Sequence, residues 1–134
     1  MLNEMKGSKA EELQEILKEL EAEVPEIEAS SVVSAEGLPI ASALPKNVDE
    51  IRVAAMTAAL LNMSDRASLE LDKGTLNHII LKGDKGYLIS MAAGENAVVT
   101  VSATKDARLG YLLLFIERTA KKIQEALERT PAHQ

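Results

Sequence analysis

The sequence predicts an α+β domain, a five-stranded antiparallel sheet with helices on both faces, in the order helix-strand-strand-helix-strand-strand-strand-helix. Three observations carry this expectation. Stretches near residues 8–24, 47–72 and 106–127 space their apolar residues as helices do. Between them lie strand-length runs of apolar and β-branched residues, separated by glycine-containing turns. The middle helical stretch is apolar on two opposite sides, whereas an ordinary surface helix hides one stripe, so it asks for two separate burial partners.

Composition bounds the answer. A chain of 134 residues, 46% apolar and 27% charged, has the length and balance of one globular domain, expected over residues 8–129 with 1–7 and 130–134 as flexible ends. A net charge of −6, with Lys and Arg scattered among acids, argues against a nucleic-acid partner. The absence of cysteine removes disulfides and thiolate metal sites and is compatible with a reducing cytoplasm, the expected location. Residues 1–7 include Glu4 and Lys6 and lack the apolar run of a secretion signal. The longest unbroken apolar run, residues 111–116, falls far short of the roughly 20 residues of a membrane span, so no membrane insertion is expected.

Taken in order, Ser8 and Glu11 have the form of a capping box, opening a helix with apolar residues Leu13, Ile16, Leu17, Leu20 and Val24, stopped by Pro25. Residues 27–34 and 38–43 read as a hairpin turned at Glu36-Gly37. Pro39 cannot donate to a ladder, which puts its strand at a sheet edge or Pro39 at the strand's first residue. Asn47 and Glu50 suit the cap and third position of the second helix. With residues advancing by roughly 100°, Val53, Met56, Leu60, Met63 and Ala67 share one side of it. Ile51, Ala54, Ala55, Ala58, Leu61 and Leu69 share the opposite side, with Arg52, Arg66 and Glu70 along one seam and Thr57, Ser64 and Ser68 along the other. Strands over 75–82, 87–93 and 97–103, joined by Gly83-Asp84-Lys85-Gly86 and Gly94-Glu95-Asn96, predict a meander. A last helix from about Asp106 carries Leu109, Leu112, Leu113, Ile116, Ala120, Ile123 and Leu127 at helical spacing. With so few elements, the doubly apolar helix has little inside the chain to cover its second side, and another copy of the chain is the expected cover.

Signatures of chemistry are missing. The chain contains no phosphate-loop, dinucleotide, zinc-protease or nucleophile-elbow motif. Gly83 and Gly86 sit between two strands, whereas a phosphate cradle needs a glycine loop opening a helix. His78 reads as a strand-surface or interface residue, and Ser30, Ser31, Ser90 and Ser102 lie in strands with no histidine placed by motif to activate them. No enzyme, no metal and no cofactor are expected. Few inward-pointing polar residues are expected either, which ranks ligand sensing low.

Over residues 8–128 the chain resembles the roadblock superfamily, which includes dynein light chains and the bacterial gliding-motility regulator of a Ras-like GTPase. The resemblance is carried by Val33-Ser34-Ala35-Glu36-Gly37-Leu38-Pro39-Ile40-Ala41, by Ala54-Ala55-Met56-Thr57-Ala58-Ala59-Leu60-Leu61, by Thr104-Lys105-Asp106-Ala107-Arg108-Leu109-Gly110, and by the element order. It implies a profilin-like fold and a homodimer in which second helices pack together and third strands pair. The implied self-association residues are Met56, Leu60, Met63 and Ala67, or the opposite stripe, with Thr75, Asn77 and Ile79 on the pairing strand. A small Ras-like GTPase would rest on the seam marked by Arg52, Ala59 and Arg66, with Arg66 or Arg108 conceivable as an arginine finger. The resemblance thus implies a non-catalytic, cytoplasmic regulator or scaffold of a GTPase that could stimulate hydrolysis by reshaping its partner. A structural adaptor without effect on GTP turnover and a small-molecule sensing domain are the alternatives.

Overall fold

The computed structural model describes residues 2–129, with side chains from Lys9 onward. Residues 130–134, expected above to form a flexible end, lie outside the described residues, as does Met1. The elements are α1 (Leu2–Glu23), β1 (Ile27–Ser34), β2 (Pro39–Ala43), α2 (Glu50–Glu70), β3 (His78–Gly83), β4 (Gly86–Ala92), β5 (Ala97–Thr104) and α3 (Leu109–Glu128). All pairings are antiparallel, in the spatial order β2-β1-β5-β4-β3. Fold class and element order match the expectation.

Both α1 and α3 cover one face of the sheet. Leu13, Leu17, Leu20 and Val24 from α1 meet Leu112, Ile116 and Ile123 from α3 over Val32, Ile89, Val99 and Val101. Each such side chain contributes about 2 kcal/mol by leaving water. This stripe-on-stripe core fixes the two helices, and exposed ion pairs such as Arg129–Glu12 at 2.8 Å add at most about 1 kcal/mol each.

The opposite face holds α2, which packs on β1 and β2. Its seat departs from the expectation of two buried apolar stripes separated by polar seams. Thr57, on one of those seams, is buried against the sheet, with Ala54 and Ala58 beside it. The reason is the sheet itself. Thr100, at the centre of β5, donates to Thr57 Oγ1 at 3.4 Å and lies 2.9 Å from Ser90 Oγ. Ser30, Ser31, Ser90 and Thr100 are all buried, so inward-pointing polar residues are more numerous than expected. The β1–β2 turn closes against the same helix. Gly37 has φ of +94°, and a Cβ there would stand 3.1 Å from Ala58 Cβ, which explains why the turn and the alanine-rich helix go together.

Several boundaries differ. Helix α1 begins at Leu2, so Ser8 and Glu11 lie inside it rather than at its start; Leu2, Glu4, Met5 and Lys6 are good helix formers that extend it backwards. The cap of α2 is Asp49, which accepts from the Ile51 and Arg52 amides, and Asn47 lies two residues outside. Strand β3 starts at His78, which leaves Thr75 and Asn77 in the connection from α2. Helix α3 starts at Leu109, capped at Arg108, three residues later than expected. Pro39 satisfies both readings at once, being the first residue of an edge strand.

Candidate functional site

With Thr57 turned to the sheet, the opposite face of α2 is turned to solvent. Ile51, Met56, Met63 and Leu69 are exposed along it, Met63 at 70% and Ile51 at 69%, and the capping residue Leu71 is exposed as well. Arg52, Ala59 and Arg66, spaced by seven residues, fall close to one line on this outer face and are all exposed. Arg66 pairs with Glu70 at 3.7 Å, a surface contact worth under about 1 kcal/mol, which leaves its guanidinium free to exchange partners.

The second component is the free edge of the sheet. Strand β3 is paired on one side only, by β4, and its register with β4 runs without a bulge from His78 to Gly83. It carries no proline, and Ile80 and Leu81 are exposed on it. An unblunted edge of this kind offers unpaired N–H and C=O groups to another strand. The β2 edge is different in every respect. It is five residues long, starts at Pro39, sits beside a bulge at Val32/Val33, and has its Ser42 carbonyl taken by the Gln14 amide at 3.1 Å. Among the described residues, β3 is thus the edge that carries no such protection.

The two components share a side of the molecule. Ile79 and Leu81 are register partners of Ser90 and Leu88, and Ser90 points at the α2 side through its contact with Thr100. Among the described residues no helix packs across β3 on that side.

Of the expected self-association residues, Met56, Met63 and Ala67 are exposed on α2, Leu60 is half-buried at its flank, and Ile79 is half-buried in β3. Thr75 and Asn77 are exposed but precede the strand. The opposite stripe is divided: Ala54 and Ala58 belong to the monomer's own packing, while Ile51 and Leu69 face solvent. Arg108 stands at the N-cap position of α3, without a side-chain hydrogen bond to it, on the far side of the sheet and is not brought together with Arg52 and Arg66. Residue reasoning overlooked Ile80 and Leu81. The signal was the run His78-Ile79-Ile80-Leu81, which reads as a strand exposed on both faces once its start is placed at 78. His78 is exposed on β3, and among the described residues no three His, Asp or Glu side chains cluster as a metal site would require.

This geometry defines a class first: a profilin-like α+β module whose conspicuous features are an open strand edge and an apolar helix face. The chain belongs to the Roadblock/LC7 domain family, whose sequence pattern it matches over residues 12–103. It is 36% identical over 98 residues to a protein of Methanocaldococcus jannaschii described as uncharacterised, an alignment covering 73% of this chain and 85% of that one. Among solved structures it is similar to a Roadblock/LC7 domain from Streptomyces avermitilis (TM-score 0.81, 19% identity, 87% of this chain and 98% of that one). It is also similar to the gliding protein MglB from Thermus thermophilus (TM-score 0.82, 19% identity, 91% and 93%). The likeness extends to profilin IA of Acanthamoeba castellanii at TM-score 0.54 and 12% identity, with 83% and 95% covered. No helix among the described residues is long and apolar enough to cross a membrane.

Proposed function

We propose that this protein is a non-catalytic homodimer that regulates or scaffolds a small Ras-like GTPase in the cytoplasm. The observation that carries the reading is the pairing of an open β3 edge with an uncovered apolar face of α2 on one side of the sheet. Joining two β3 edges turns two five-stranded sheets into one. It also brings two α2 helices, each about 31 Å long from its 21 residues, over the uncovered halves. Met56, Leu60, Met63, Ala67, Ile79 and Leu81 then lose their contact with water. Arg52, Ala59 and Arg66 line the seam left outside, where the GTPase docks, and stimulation of hydrolysis proceeds by reshaping the partner's own site. Family membership supports this reading, since roadblock proteins as a class act through partners.

Two measurements test it. Light scattering is expected to give twice the 14.5 kDa chain mass, and Met63→Glu or Leu81→Glu to return the chain mass with an unchanged circular dichroism spectrum. A native protein that stays monomeric at high concentration rules out the dimer. Nucleotide-loaded Ras-like GTPases from the same genome are then mixed with the protein and both binding and GTP turnover are read. Binding with faster turnover supports a regulator, binding with unchanged turnover a scaffold, and absence of both rejects the GTPase as partner.

A further inference from the structure

The ladder determines which backbone groups the β3 edge offers. The Ala93 amide donates to the Ala97 carbonyl at 2.8 Å, and these residues continue the unbroken β4–β5 register beyond Ala92 and Val98. Hydrogen-bonded pairs alternate along an antiparallel ladder, so the odd-numbered residues of β4 exchange their bonds with β5. Gly86, Leu88 and Ser90 then bond the other way, to their β3 partners Gly83, Leu81 and Ile79. The N–H and C=O groups of His78, Ile80 and Lys82 are left pointing away from the sheet. Side chains of these three residues share a face with their partners Met91, Ile89 and Tyr87, on the side covered by α1 and α3, and Lys82 Nζ lies 5.8 Å from the centre of the Tyr87 ring. Ile79 and Leu81 point to the α2 side.

When an edge pairs with a second copy of itself about a two-fold axis, outward-pointing residues must meet outward-pointing residues, so the axis passes beside one residue and the choice of that residue sets every contact. We propose that two copies of this chain join in a single register, with the axis at Ile80, so that His78 of one copy stands opposite Lys82 of the other and Ile80 opposite Ile80. This rests on the β3-to-β3 homodimer proposed above and fixes which residues meet in it. Within β3 as it stands, this register engages all three outward residues. An axis at Ile79 or at Leu81 keeps two of the three pairs and sets Ile80 against His78 or against Lys82. The side chains make the same choice. With the axis at Ile80, Ile79 faces Leu81 of the other copy on the α2 side, twice by symmetry, and Ile80, 39% exposed in the single chain, is covered by its counterpart on the other face. An axis at Ile79 would instead set Leu81 against Asn77, and one at Leu81 would set Ile79 against Gly83. The two ends of the seam carry His78 against Lys82, which spares each ammonium a second lysine opposite, an arrangement that like charges make costly.

The chain has no cysteine of its own, so single cysteines placed in turn at Ile79, Ile80 and Leu81 of the full chain report the register directly. With oxidised glutathione as oxidant, Ile80→Cys is expected to form the covalent dimer fastest, because its two Cα atoms stand about 5.5 Å apart as a hydrogen-bonded pair, inside the span of roughly 4.4–6.8 Å that a disulfide bridges. Ile79→Cys and Leu81→Cys lie about 7–8 Å from their own counterparts, as diagonal neighbours, and are expected to link slowly. His78→Lys is expected to weaken the dimer about three- to tenfold in sedimentation equilibrium, and adding Lys82→Glu to return the native affinity. Linking that peaks at position 79 or 81 overturns the register, as does a His78→Lys dimer that Lys82→Glu leaves weak. A dimer that links at none of the three positions overturns it as well, by moving the interface off β3. A native chain that light scattering finds monomeric rejects the homodimer itself, an outcome read without any cysteine variant.

Discussion

Single residues in this protein are constrained most tightly where backbone meets backbone. At Gly86 an added Cβ would lie 2.2 Å from the Ala103 carbonyl oxygen, which cannot move without breaking the β4–β5 ladder. Gly86→Ala is therefore expected to cost about 3 kcal/mol, the upper end of overpacking penalties, measured by chemical denaturation. Gly83, whose Cβ would meet nothing nearer than 3.8 Å, serves as control, and Gly83→Ala should change stability by less than about 0.5 kcal/mol. Gly37→Ala combines a left-handed backbone with the 3.1 Å approach to Ala58 and is expected to cost about 2 kcal/mol. The cap of α2 can be read in the same way. Asp49→Ala should lose about 1 kcal/mol and Asn47→Ala almost nothing, because only Asp49 accepts from the helix amides. The turn at Glu36-Gly37 was legible in the sequence, as glycine there has few other uses. The choice between Asn47 and Asp49 was not, because both are good caps and the tie is broken by where α2 lands on the sheet.

For whole elements the deciding question is which face of α2 meets the protein. Hydropathy alone favours burying an apolar stripe and leaving a threonine–serine seam aside. The sheet presents Ser31, Thr100 and Ser90 instead, and a buried hydroxyl without a partner costs about 1–3 kcal/mol, so Thr57 turns inward to join them. A double-mutant cycle on Thr57→Val and Thr100→Val is expected to show coupling of about 0.5 kcal/mol, modest because the bond is long at 3.4 Å. The same orientation separates probes of the core from probes of the surface. Ala58→Glu places a charge beneath the helix against Gly37 and should unfold the chain, while Ala59→Glu, one residue on, should fold normally as judged by circular dichroism. The two strand edges follow the same logic of location. Pro39 advertises a blunted edge in the sequence, whereas the openness of β3 depends on its being last in the order β2-β1-β5-β4-β3.

The molecule as a whole is lopsided. One face of its sheet is closed by α1 and α3 with their complementary stripes, while on the other α2 packs mainly on β1 and β2, reaches β5 through Thr57, and leaves Ile79 and Leu81 of β3 partly or fully exposed. If self-association completes that face, stability is linked to concentration by mass action. The melting temperature of the native protein should then rise as protein concentration is raised, and that of Met63→Glu should not; a native melting temperature indifferent to concentration counts against an obligate dimer.

The order of elements, the α1 and α3 stripes and the likeness to roadblock proteins were all determined by the sequence, because they depend on local periodicity and on turn chemistry between neighbours along the chain. Tertiary structure decided the rest. Periodicity identified two apolar sides on α2 but could not say which would be outward, since that depends on hydroxyls supplied by β5, forty-three residues away along the chain. It could not show that Thr75 and Asn77 stop short of β3, or that Ser31 Oγ is buried without a hydrogen-bond partner among the described residues. These are properties of juxtaposition: a side chain's role here is set by what the sheet places opposite it.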